Sequence, residues 1–208
     1  RGFVALRRIA EVADSEVEVP HGIQVDSLKG DIEFRNVSLI YKTSVGEEKV
    51  VLKDVSFTIQ AKTKTAIVGP TAAGKTQLFY LMSGLAEPTA GDIYIDGKPI
   101  HDYNINSLLR HIGLVFQDSI LFNTTLRDNI AFTNNTNDAT LQKALETAEL
   151  GTLVKELPKG LNTMVSERGT SLSGGQKQRL MLARALAVEP QVLLLDDFTA
   201  RVDQATES

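Results

Sequence analysis

The 208-residue chain contains no cysteine. No disulfide framework can therefore hold it together, which is compatible with a reducing compartment. No run of 18 apolar residues occurs, so nothing in it crosses a bilayer by itself, and a membrane role has to come through a partner segment. Nor is there an excess of basic charge. Twenty-two Lys and Arg face 26 Asp and Glu, for a net charge of -4, which argues against a broad nucleic-acid surface and leaves no nucleic acid among the expected partners. There is no signal peptide to give meaning to the N-x-[ST] sequons at Asn36, Asn123 and Asn134, which read as accidents. No repeat of 20 to 50 residues is visible. What remains is a length and an apolar content suited to one globular domain with a sizeable core. The start at Arg1 and the stop at Ser208, soon after an apolar strand, read as ends made by excision.

Residues 1–28 open with Arg1, Arg7 and Arg8 among apolar residues, turn acidic, and reach Pro20-His21-Gly22; this reads as a helix followed by a linker. A domain over 29–208 follows. Ile32 and Phe34 alternate, the phase slips, and Val37, Leu39 and Tyr41 alternate again, as in a bulged strand. Val55, Phe57 and Ile59 form a second strand, giving an antiparallel β layer over 31–60. The runs Ala66–Val68, Ile112–Phe116 and Val192–Leu195 are uninterrupted, as expected of parallel strands buried on both faces. Leu78, Phe79, Leu81, Met82 and Leu85 have helical spacing, and Asn137-Asp138 can cap a helix through Leu141, Ala144, Leu145 and Ala148. An inserted helical subdomain is expected at about 118–172. The fold class is α/β.

Chemistry enters at Gly69-Pro70-Thr71-Ala72-Ala73-Gly74-Lys75-Thr76, which matches G-x-x-x-x-G-K-[ST] between an expected strand and an expected helix. Backbone N–H groups at a helix N-terminus attract phosphate; Lys75 adds positive charge at the β and γ groups, and Thr76 offers a hydroxyl to Mg²⁺. The alternative, a chance glycine-rich turn, does not explain the strand-loop-helix setting. This loop alone leaves kinases, GTPases, helicases and transport motors open. A second glycine turn, Leu172-Ser173-Gly174-Gly175-Gln176, precedes Lys177-Gln178-Arg179 and a helix-like run to Ala187. It is either an ordinary helix cap or a second anion-binding device. One nucleotide needs one cradle, so two cradles in a domain point to a dimer in which each chain covers the other's ATP.

With both motifs in this order, the chain resembles the ABC ATPase family from about residue 31 to 208, LSGGQ being that family's signature. The resemblance implies a P-loop core with a parallel sheet, an N-terminal antiparallel β layer and a helical insertion. It implies that Gly69 to Gln77 hold ATP, and that Ser173, Gly174, Gly175 and Gln176 reach the partner's γ-phosphate across a head-to-tail dimer. Tyr41, 28 residues before Gly69, resembles the aromatic that stacks on adenine, although a strand tyrosine is more often packing. Gln117 resembles the glutamine that touches Mg²⁺ and the attacking water. Val192 to Asp196 resembles the Walker B strand, with Asp196 holding Mg²⁺ through water, and Asp203 occupies the D-loop position. Glu167-Arg168-Gly169 and Asn123 to Ile130 resemble exporter segments, and Arg1 to Asp14 the continuation of a last transmembrane helix. The implied protein is a membrane exporter with this domain on the cytoplasmic face. Its expected partners are a transmembrane domain of the same polypeptide and a second nucleotide-binding domain, a heterodimer being favoured over a homodimer.

The chain also departs from that pattern. Asp197 stands where active members carry glutamate, one methylene longer, to polarise water, so slow hydrolysis is expected with Asp197, Gln117 and Lys75 as catalytic groups. A nucleotide-gated module without useful turnover is the rival reading. Ala72 and Gln77 replace a common glycine and threonine. The family's switch histidine follows the D-loop on a strand that flanks Walker B, yet His21, His101 and His111 all lie upstream of the signature, so weak or absent hydrolysis by this chain and an exposed sheet edge are expected.

Overall fold

A computed structural model describes residues 21–42, 46–117, 120–132, 136–165 and 172–197. The expected helix at Arg1–Asp14, the Glu167-Arg168-Gly169 segment and Asp203 lie outside the described residues.

The first strand, β1 (Ile32–Lys42), buries Ile32, Phe34, Val37 and Leu39. The odd spacing between Phe34 and Val37 is a bulge: opposite them, β2 (Glu48–Ile59) advances only from Phe57 to Val55, and Asn36 adopts φ 50. Phe34 and Phe57 face each other and stack at 4.5 Å. A third strand that the alternation did not announce, β3 (Ala90–Ile95), pairs antiparallel along the other side of β1 and turns into β4 (Lys98–Pro99), giving the order β2-β1-β3-β4. Its turn is Asp96-Gly97, both at positive φ, a hairpin signal present in the sequence. The Asp96 carboxylate also accepts the backbone N–H groups of Lys29, Gly30 and Asp31 at 2.7–2.9 Å, tying the chain's approach to β1 onto the turn. Gly91 passes so close to the bulge that a Cβ there would lie 2.3 Å from the Asn36 carbonyl oxygen.

Beneath this layer, α1 (Lys75–Met82) buries Leu78, Leu81 and Met82 in the same core as Ile112 and Leu194. The short helix α2 (Ile105–Leu108), capped by the Asn104 side chain, leads to β5 (Ile112–Val115). β5 pairs in parallel with β8 (Val192–Leu195), Ile112 opposite Val192 and Val115 opposite Leu195. The expected strand at Ala66–Val68 is a correction. The segment joins no ladder, Thr65 and Ala66 are exposed, and Val68 is 92% exposed. An apolar run becomes a buried strand only between two hydrogen-bonding neighbours, and among the described residues the far side of β8 carries none. Leu193, expected to be buried, is 37% exposed for the same reason.

The helical insertion forms a second core. It comprises α3 (Leu126–Ile130), α4 (Asp138–Thr147) and α5 (Gly151–Glu156), flanked by the short antiparallel pair β6 (Thr124–Thr125) and β7 (Met164–Val165). The Asn137 side chain caps α4 by accepting the Thr140 N–H at 2.8 Å, as its position foretold. Leu126, Ile130, Leu141, Ala144 and Leu145 pack with Leu180, Met181 and Ala183 of α6 (Gly174–Leu186).

The join between insertion and α6 is polar. Asn129, fully buried, accepts from the Phe122 N–H (2.9 Å) and the Arg184 guanidinium (2.8 Å), and donates to the carbonyls of Phe122 (2.9 Å) and Thr125 (3.1 Å). Arg184 also donates to the carbonyls of Asn129 at 2.6 Å and Ile120 at 2.9 Å. Burial holds its guanidinium below the ordinary arginine pKa. Removing the Asn129 amide leaves at least two backbone groups and one charge short of partners. Asn129→Ala is expected to destabilise the domain by about 2–4 kcal/mol, read as a lower urea midpoint at unchanged slope; a loss under about 0.5 kcal/mol would show the network is dispensable.

Candidate active site

The phosphate loop ends at Gly74, which caps α1 in a left-handed conformation, φ 87. A Cβ on Gly74 would lie 2.8 Å from Leu52 Cδ2 and 3.1 Å from the Val51 carbonyl oxygen, so β2 presses directly on the loop. Ala72 also takes a left-handed φ, 64, where an L side chain is strained. The Lys75 ammonium donates to the loop's own carbonyls, Gly69 at 2.8 Å and Pro70 at 2.9 Å, at the mouth of the cradle. Thr71 and Ala73 are exposed, and Thr76 is half-buried in the first turn of α1. The first N–H groups of this helix have no intrahelical acceptor and are available to an anion. At the end of β1, Tyr41 donates its hydroxyl to Gln77 Oε1 at 2.6 Å.

Two further groups arrive from the sheet. Because β5 and β8 run in parallel and in register, the residues that follow them emerge at the same end. Gln117 Nε2 donates to Asp197 Oδ2 at 3.2 Å, and the Asp196 N–H donates to the Val115 carbonyl at 2.9 Å. Phe116 stacks on Tyr80 of α1 at 5.3 Å, fastening this end of the sheet to the helix behind the phosphate loop. Asp197 has φ 49, a conformation aspartate tolerates better than most residues. Its backbone carbonyl accepts from Gln178 Nε2 at 3.4 Å. Gln178 is 2% exposed inside α6, and nothing in its helical spacing singled it out.

At the start of α6, Ser173 makes a full capping box. Its Oγ accepts the Gln176 N–H at 3.2 Å, and its own N–H donates to Gln176 Oε1 at 2.8 Å. The cap and anion-site readings of this turn are therefore compatible: the hydroxyl proton of Ser173 and the N–H of exposed Gly174 are not consumed by the cap, while Gly175 is buried.

A family model described as "ABC transporter" matches residues 52–200. The chain belongs to the ABC transporter family. Its fold is accordingly the family's P-loop ATPase domain, a mixed α/β structure with an antiparallel sheet. The ABC domain is 37% identical over its whole length to an ATP-dependent lipid A-core flippase of Burkholderia orbicola (strain AU 1054), covering 35% of that protein. It is 39% identical, over 96% of its length, to the uncharacterized ABC transporter ATP-binding protein YknU of Bacillus subtilis (strain 168), covering 34% of it. In structure it is similar to a bacterial Atm1-family ABC exporter with ATP bound, with a TM-score of 0.88 and 34% identity over 99% of this chain and 36% of that one. The chain thus spans about a third of the length of these relatives.

The residues present fit the Mg²⁺ that such domains use. Asp196 is 5% exposed, and its Oδ2 is buried without a hydrogen-bond partner among the described residues. A buried carboxylate oxygen left in this way calls for a cation or its water. The histidines, by contrast, lie elsewhere. His111 precedes β5, at the end opposite Gln117, and its ring bonds to Gln191 and to the Val25 carbonyl; His101 sits beside Asp102, and His21 is exposed.

The two left-handed residues of the ABC domain's loop make opposite predictions. Ala72→Gly relieves strain and is expected to stabilise the protein by up to about 1 kcal/mol, the gain being partly offset by the freer unfolded chain. Gly74→Ala adds both strain and a collision with Leu52, and is expected to cost more than about 2 kcal/mol and weaken ATP binding at least tenfold. Thermal melts and nucleotide titrations of both variants check this; a Gly74→Ala protein with parental affinity would refute the loop geometry.

Proposed function

We propose that this chain is the ATP-binding and ATP-hydrolysing domain of an exporter, in which ATP draws two such domains together and hydrolysis lets them part, moving attached membrane helices. The observation that carries the reading is the convergence of Gln117, Asp196 and Asp197 at one end of the β5–β8 pair, braced against the helix that opens with Lys75 and Thr76. Gly69 to Thr76 bind the triphosphate, Gln77 belongs to the base side of the same site, Tyr41 stacks on the base, and Ser173 to Gln176 reach the γ-phosphate held by the partner domain. Lys75 leaves the carbonyls of Gly69 and Pro70 to meet the phosphates. Thr76, Gln117 and, through water, Asp196 would hold Mg²⁺, which would supply charge withdrawal from the triphosphate. Gln117 and Asp197 orient the water that attacks the γ-phosphate in line, Asp197 accepting its proton.

Two features support a membrane partner. The relatives are about three times as long as this chain. Ile120, Phe122 and Phe132 are 66%, 43% and 61% exposed, the two rings stacked at 5.0 Å beneath Arg184. An apolar patch of this kind is a docking surface, and we assign it to the transmembrane domain of the same polypeptide, with this domain on the cytoplasmic face. Arg184 joins that patch to α6, whose other end carries Ser173. Among the described residues β8 has no strand on its far edge, and Thr65, Ala66 and Val68 are exposed. With no histidine after the signature, the 208-residue chain alone hydrolyses ATP weakly or not at all.

Asp197 favours two refinements. Its shorter reach makes its own site slow, and the intact signature serves the competent site of a non-identical partner. A regulator that closes on ATP without useful turnover is the second reading, supported by the same residue. In the full-length transporter, Asp197→Glu is expected to raise turnover at least tenfold, at a stability cost of about 1 kcal/mol because glutamate is less at ease at positive φ. Steady-state phosphate release measures the first and thermal melts the second; turnover no faster than the parent's would overturn the slow-site assignment.

A further inference from the structure

Gln77 occupies a position that the phosphates alone do not explain. It is the third residue of α1, immediately after Lys75 and Thr76. Its Oε1 accepts the Tyr41 hydroxyl at 2.6 Å, a contact between residues 36 apart in sequence. Tyr41 lies near the end of β1, paired to Lys49 across the hairpin, and is 43% exposed. An exposed tyrosine at a strand end ordinarily samples several rotamers. This one is fixed at both ends, by the strand ladder at its backbone and by Gln77 at its hydroxyl. β2, which holds Tyr41 in register, is the same strand that presses Val51 and Leu52 against Gly74.

We propose that Gln77 is a positioning residue for the nucleobase: it tethers the Tyr41 ring in the orientation that presents its face to a base, and so links base stacking to the helix that binds phosphate. The inference rests on Tyr41 being the base platform. A threonine at this position, with a side chain two atoms shorter, has no comparable reach toward the tyrosine hydroxyl, so the departure from the usual residue adds base affinity while leaving the triphosphate cradle to the loop. Oε1 is an acceptor only, so the tether requires the Tyr41 O–H as donor.

The test is equilibrium binding by calorimetry to the full-length transporter with Mg²⁺, comparing ATP with inorganic tripolyphosphate, which has no base. The variants are Tyr41→Phe, Gln77→Met, both together, and Tyr41→Ala. Losing one neutral hydrogen bond that orders a stacking ring is expected to weaken ATP binding about 3- to 10-fold in either single variant. Tripolyphosphate should bind all proteins within twofold of the parent, which also shows that the variants are folded. The double variant should be no weaker than the singles, because both remove one interaction. Unchanged ATP affinity in Tyr41→Phe, or a Gln77→Met loss equal for ATP and tripolyphosphate, would overturn the tether, the latter making Gln77 a phosphate ligand. Tyr41→Ala binding ATP as the parent does would instead remove the base platform on which the inference stands. A parent that binds tripolyphosphate and ATP equally would do the same.

Discussion

The parallel pairing of β5 with β8 is the constraint on which the site depends. Each strand is four residues long, yet parallel register requires that whatever follows one emerges beside whatever follows the other. Gln117 and the pair Asp196-Asp197, about 80 residues apart in the chain, are thereby brought within a hydrogen bond of each other. Antiparallel pairing would have put them at opposite ends. His111 illustrates the same rule in reverse: entering β5 rather than leaving it, it is kept at the far end and serves as a strut between Val25 and Gln191.

Around that pair the protein builds two cores and joins them with charge and amide. The β layer and α1 form one, the helical insertion and most of α6 the other. Apolar contact holds each core together, but contact of that kind is not directional. The Asn129–Arg184 network is directional: a buried amide with both donor and acceptor sides used, and a guanidinium shared among three oxygens and two rings. A network so fully satisfied fixes how the insertion sits on α6. The exposed aromatic pair Phe122 and Phe132 and the signature turn at Ser173 thus belong to one mechanical unit.

The phosphate loop, the signature turn, the bulge at Asn36 and the Asn137 cap were all legible because each is specified within a few consecutive residues. Glycine before lysine, serine three before glutamine, and a phase slip in an alternating pattern are local signals with local causes. The strand at Ala66–Val68 was misread because an apolar run states only that its residues avoid water. Whether it becomes a strand depends on neighbours, and the described residues supply none. β3 went unread for a related reason, since Gly91 and Asp92 blur its alternation and what secures it is β1 alongside.

By itself, then, the sequence determined where helices α1 and α6 begin, and that the chain shares the ABC pattern, since these follow from backbone conformation and side-chain chemistry over short spans. Only the tertiary structure decided that Gln117 meets Asp197, that Asp196 keeps one oxygen buried and unpartnered, that Arg184 locks onto Asn129, and that Gln77 holds Tyr41. Each of those contacts joins residues from separate elements. Their partners are selected by sheet register and core packing, which the whole chain settles together.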